Sequence, residues 1–216
     1  MKGGIRLPSL LLNRDTPLGD RTKEESGDRS SPIWLLVNPK YPAVIYNIWT
    51  PMVYEIQDRV YRKLHARIDT KNIFIKNAVS DIKNVSNTSN WSVAEAAKEV
   101  MELRANVLEY QPRLLITFGS VTYEFLRRVL DIGPEKIPKY WSSPKLGDEF
   151  ERSIENFEIN QTNWLPLPHQ VLNSGKFIDD GKYSNWENSE NYFRIVGTKI
   201  ADKIIENKDS LKIWIE

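Results

Sequence analysis

Three polar side chains stand just behind short apolar runs in this chain: Asn38 after IWLLV (33–37), Asn77 after NIFIK (72–76) and His169 after NWLPL (163–167). A carboxamide carries a donor and an acceptor side by side, so it can read the edge of a flat polar ring or hold a water. A neutral imidazole can donate a hydrogen bond to an oxygen that gains negative charge as a bond breaks. Together they offer recognition of a heterocycle and stabilisation of a leaving group. The set holds no carboxylate pair, and GSVTYE (119–124) lacks the second flanking glycine of G-x-S-x-G, so a serine elbow is not indicated. The alternative is equally concrete: Asn, Gly and Pro are ordinary turn residues, and His169, one of two histidines and preceded by Pro166 and Pro168, could simply fill a loop.

Composition limits the chemistry further. The 216 residues suit one domain, and 40% hydrophobic with 27% charged residues is the balance of a water-soluble chain, with no run long enough to cross a bilayer. The apolar cluster near the amino terminus is broken by Asn13, Arg14 and Asp15, so no secretory signal and an intracellular location are expected. With no cysteine there are no disulfides, thiolate nucleophiles or thiolate-held metals, and two distant histidines argue against a histidine-rich zinc site; no metal and no cofactor are expected. A net charge of +1 gives no global attraction to nucleic acid, so any such binding must come from a local basic patch.

Residues 1–31, polar and poor in aromatics, read as a loosely held arm, and 32–216 as a single domain. Strands are expected at 33–37, 72–76, 113–118 and 163–167. Thr50-Pro51 has the form of an N-cap and first helical residue, ahead of Val53, Ile56, Val60 and Leu64 at helical spacing. Ser92 to Glu95 resembles a capping box before Ala97, Val100, Leu103 and Val107. A third helix should follow Gly119-Ser120 and stop by Gly133-Pro134; a last one runs through Phe193, Val196, Ile200 and Ile204. Residues 131–162 show no clear period and read as an insertion, and the closing LKIWIE has no evident place. Alternating strands and helices imply a three-layer α/β/α sandwich around a central, mainly parallel four-stranded sheet. Ligands of such sheets bind outside the carboxyl ends of the strands, where Asn38, Asn77, Gly119-Ser120 and His169 would gather.

In that order the segments resemble the uracil-DNA glycosylase superfamily over residues 33–205. LVNPK (36–40) is similar to the Gly-Ile-Asn-Pro-Gly motif of its mismatch-specific branch, FIKNAV (74–79) to the Leu-Leu-Asn-Ala-Val segment of another branch, LPHQVLNSG (167–175) to the His-Pro-Ser loop, and PRLLITFGS (112–120) to the third-strand segment. The resemblance implies catalytic roles for Asn38, which would position water, and His169, which would stabilise the departing base. It implies base recognition by Asn77, with Pro39, Tyr41 and Trp49 around the base, and DNA contacts from Lys40, Ser120, Gln170, Val171, Leu172 and Lys176. Trp49 could equally be a staple residue ahead of the helix at Thr50.

The sequence departs from these motifs at Leu36 and Lys40, where the first motif has glycines, and at Gln170 and Val171, where Pro and Ser are usual. Lys40 also holds the place where the classical members of the superfamily have a tyrosine that rejects a C5 methyl, with Tyr41 one further on, so a pyrimidine with a larger C5 group is a candidate beside uracil. The Asn77 amide can match a uracil or a cytosine edge. The implied activity is that of a monofunctional DNA glycosylase, probing double- or single-stranded DNA as a monomer, in base-excision repair or in defence against phage DNA carrying modified cytosines. Two other classes stay open. One is a noncatalytic nucleic-acid-binding descendant of the fold; the other is a flavodoxin-like nucleotide binder, although the first turn lacks a Ser/Thr/Gly-rich phosphate loop.

Overall fold

In a computed structural model of the chain, which describes residues 25–79, 93–170 and 189–215, five strands form one sheet. The elements run β1 (Glu25–Ser26), β2 (Ile33–Val37), α1 (Thr50–Leu64), β3 (Phe74–Asn77), α2 (Val93–Tyr110), β4 (Leu114–Phe118), α3 (Ser120–Val129), α4 (Ser143–Glu155), β5 (Asn163–Leu167) and α5 (Ser189–Glu206). Strand order is β1-β3-β2-β4-β5, with β3, β2, β4 and β5 parallel and β1 antiparallel at the edge.

Every residue of β2 and β4 is buried, which is why both read as unbroken apolar runs: a central parallel strand has protein on both faces. Side-chain alternation divides them between two cores. Ile33, Leu35, Ile116 and Leu165 meet Met52, Ile56 and Val60 of α1, Leu146 and Phe150 of α4, and Val196, Ile200 and Ile204 of α5. Trp34, Leu36 and Leu115 meet Leu103 and Val107 of α2 and Phe125, Leu126 and Val129 of α3 on the opposite face.

Three expectations need correction. The sheet has five strands rather than four, and the fold takes in Glu25, ahead of the expected start at residue 32. Gly27 turns the chain at φ 85°, where a side chain would strike the Ile73 carbonyl; Arg29 binds Glu25, its carbonyl accepts from the Trp34 indole, and Ser31 is buried. A two-residue strand carries no periodic signal, so composition alone hid it. Thr50 is not an N-cap either. A π-helical turn, Ile45–Trp49, leads directly into α1, and both the Thr50 N–H and its hydroxyl donate to the Ile45 carbonyl. Pro51 comes next, where the wide turn tightens, a place that tolerates a missing N–H.

The third correction concerns 131–162, which holds a 3-10 turn (Pro138–Tyr140) and the 13-residue helix α4. The apolar stripe Leu146, Phe150, Ile154 seats α4 on the core that includes β5. The connection from α3 is fastened by one carboxylate. Glu124, fully buried, accepts from the Lys136 N–H (2.7 Å), the Trp141 indole N–H (2.6 Å) and Arg127 (3.2 Å). Arg127 in turn donates to the Gly133 and Pro134 carbonyls and lies 4.8 Å from the Trp141 ring centre. At the far end of the chain, LKIWIE forms an isolated antiparallel bridge, Trp214 to Ile68. Among the described residues no helix is long and apolar enough to cross a membrane.

Removing one member of a buried ion pair strands the other, at a cost of about 3–5 kcal/mol. Glu124→Ala is therefore expected to lower unfolding free energy by about that amount, measured as a shift of the urea midpoint without a change in its slope.

Candidate functional site

Parallel register brings four strand ends to one edge of the sheet. Val37 pairs with Asn77, Leu36 with Thr117, and Phe118 with Leu167. The pairing is carried one step past the strands, where the Ala78 N–H donates to the Val37 carbonyl (2.8 Å) and the Gly119 N–H to the Leu167 carbonyl (2.7 Å). Asn77, Asn38, Gly119 and His169 therefore succeed one another along the carboxyl-end rim.

Asn38 is buried at 4% exposure. Its side-chain oxygen accepts from the Lys40 N–H (2.9 Å) and its backbone carbonyl from the Tyr41 N–H (2.8 Å), which closes a tight Asx-type turn. One lone pair of that oxygen is spent on the turn; among the described residues its second lone pair and the NH₂ have no hydrogen-bond partner. The turn throws Tyr41 across the rim, where its ring lies 4.9 Å from the His169 ring at an interplanar angle of 37°. Lys40 Nζ sits 5.9 Å from the same tyrosine ring.

The crossing passes the end of β4, and the residue there is glycine for two reasons. Gly119 has φ 87°, which L side chains rarely adopt, and a Cβ on it would lie 2.9 Å from His169 Nδ1 and 3.1 Å from His169 Cβ. The Nδ1 edge of the imidazole thus rests on bare backbone. Half-buried in this way, His169 has its pKa pushed below the ordinary histidine value by desolvation, so the ring is neutral at neutral pH. A neutral imidazole retains one N–H to donate.

Asn77 closes β3, half-buried, on the opposite side of Asn38 from His169. Three strand spacings separate the β3 and β5 ends, about 14 Å of backbone. Pro39 is partly exposed, Lys40, Tyr41 and Gln170 are exposed, and Ser120 is the half-buried first residue of α3. Val171, Leu172 and Lys176 lie outside the described residues.

Trp49 does not belong to the site. It is 6% exposed, has helical backbone angles, and packs with Ile33, Val53, Ile56 and Leu114, the first and last of which begin β2 and β4 at the far end of the sheet. Both of its expected roles fail for one reason: the helix starts earlier than Thr50 and carries the indole inward. What sequence reasoning missed is the contact between Tyr41 and His169 and the clearance that Gly119 gives it. A glycine closing an apolar strand was the available signal.

No protein-family model matches the chain, and comparison with curated proteins gives no match. Among the described residues no group of three His, Asp or Glu side chains is placed to hold a metal ion.

Gly119 and His169 each generate a measurable outcome. Gly119→Ala should cost roughly 1–3 kcal/mol through backbone strain and collision, and should move the His169 imidazole resonances in an NMR spectrum. The second outcome concerns pH. Because the folded pKa of His169 lies below that of the unfolded chain, the unfolded state binds the extra proton first as pH falls through about 6.5. The stability associated with the neutral ring is therefore present above that pH and is lost below it. His169→Gln should flatten this acid-side decline in melts run between pH values of about 7.5 and 5.5.

Proposed function

We propose that the rim is the active site of a monofunctional DNA glycosylase acting on a pyrimidine, uracil or a C5-modified base, extruded from the helix or taken from single-stranded DNA. The observation that carries this reading is the contact of the Tyr41 and His169 rings over Gly119. It joins the Asn38 turn to the imidazole across three strand ends, with Asn77 on the same edge. The resemblance of LVNPK, FIKNAV and LPHQ to glycosylase motifs points the same way.

In the reaction, the Asn77 amide pairs with the polar edge of the base. The bond between C1′ and N1 lengthens, its electron pair stays on the base, and positive charge grows on the sugar as it does in glycoside hydrolysis. His169, neutral, donates to the O2 oxygen of the base as that oxygen becomes anionic; one such donor is worth about 3 kcal/mol in a site shielded from water. Water, held through the free bonding capacity of Asn38, adds to C1′ and releases its proton to solvent. An amide cannot take that proton strongly, so turnover is slower than in an enzyme with a carboxylate there. The anionic base takes up a proton from solvent, and the products are a free base and an abasic site.

One observation favours the noncatalytic reading: the Asn38 side-chain oxygen is already engaged by Lys40 in its own turn. A single assay separates the two. Oligonucleotides carrying uracil, a thymine mismatch, hydroxymethylcytosine or glucosylated hydroxymethylcytosine are incubated with the protein and cleaved with alkali. Strand breaks with at least one substrate are expected, falling about 10²-fold or more in Asn38→Ala and His169→Ala. Binding to all four without a break in any would overturn the enzyme assignment.

A further inference from the structure

Away from the rim residues, Lys136, Lys139, Tyr140 and Lys145 form a compact basic and aromatic surface between α3 and the first turn of α4. Lys145 Nζ lies 3.4 Å and Lys136 Nζ 5.1 Å from the centre of the Tyr140 ring, and both Tyr140, at 41%, and Lys139 are exposed. The ion pairs of this region run instead through Arg127, Arg128 and Arg152. Among the described residues none of the three lysines has a carboxylate partner.

A chain of packed and hydrogen-bonded residues also joins the surface to the rim. Tyr140 stands edge-on to Trp141 at 5.0 Å, Trp141 is bonded to Glu124 and meets Tyr123 at 4.9 Å, and the Tyr123 N–H donates to the Gly119 carbonyl. Gly119 is the residue on which His169 rests.

We infer that this surface holds the phosphodiester backbone of a DNA strand flanking the nucleotide bound at the rim, with Lys136, Lys139 and Lys145 on phosphates and Tyr140 holding the Lys136 and Lys145 ammonium groups in place. Ammonium groups held over an aromatic ring are pre-positioned, and their pairing with phosphates releases counterions. An exposed aromatic among cations is the recurring platform for a nucleic-acid strand. In a chain of net charge +1 this local patch supplies what overall charge does not. The choice of DNA among polyanions rests on the glycosylase reading of the rim.

The test measures binding of a fluorescein-labelled, unmodified DNA duplex and its single strand to the full chain by anisotropy across a salt series. The variant carries Lys136→Gln, Lys139→Gln and Lys145→Gln together; a control carries Lys63→Gln, Lys208→Gln and Lys212→Gln, all exposed and far along the chain. Single substitutions of Lys139 and Lys145 serve should the triple variant melt early.

Expected are affinity about ten-fold weaker or more at moderate salt, a log–log salt slope reduced by about two to three, and a smaller loss in Tyr140→Ala. The control should match wild type. An unchanged slope in the triple variant, an equal loss in the control, or equal displacement of DNA by poly-glutamate would each overturn the inference. Should wild type bind with the expected slope yet excise no base, the rim reading fails and the binding surface stands. Should it excise bases while the triple variant keeps the wild-type slope, only the binding surface fails.

Discussion

The structure depends on one constraint, the parallel hydrogen-bonded register of β3, β2, β4 and β5. Parallel strands leave all their carboxyl ends on one edge and all their crossovers on the faces. Four segments from residues 38 to 169 become neighbours for that reason alone, with no need for a dedicated binding loop. The same register forces apolar residues onto both faces of β2 and β4, so the rim is backed by two cores and cannot shift without unpacking one of them.

Within that frame the rim is arranged by backbone groups more than by side chains. Asn38 spends one lone pair on its own turn, and that turn delivers Tyr41 to His169. Gly119 contributes by having no side chain at all. Burial then keeps the imidazole uncharged, which suits a donor that must not repel the growing positive charge of a sugar. The proposed chemistry asks little of any single group and much of their placement.

The sequence made the central elements legible because burial on two faces writes a plain signal. IWLLV and NWLPL coincide with β2 and β5, the expected 113–118 starts one residue ahead of β4, and the expected 72–76 starts two residues ahead of β3, which takes in Asn77 as its last residue. β1 was illegible because two residues of edge strand bear no period, and its anchors, Gly27 and the Arg29 carbonyl, are backbone features. α4 was obscured by Pro144 and Gly147 in its first turns, although Leu146, Phe150 and Ile154 keep helical spacing. Trp49 was misread because Thr50-Pro51 has the composition of a helix start, while the helix had already begun as a wide turn at Ile45. The meeting of Tyr41 with His169 spans more than a hundred residues, and nothing local encodes it.

The wide turn at Ile45–Trp49 sets the rotational phase of α1. Each residue added to or taken from a helix rotates everything downstream by about 100°. Met52, Ile56 and Val60 face the sheet only with this rotation, while the other end of the same segment is pinned by Asn38. A single-residue deletion inside α1, just after Met52, would swing the rest of its apolar stripe toward water while leaving every side chain of the rim chemically intact.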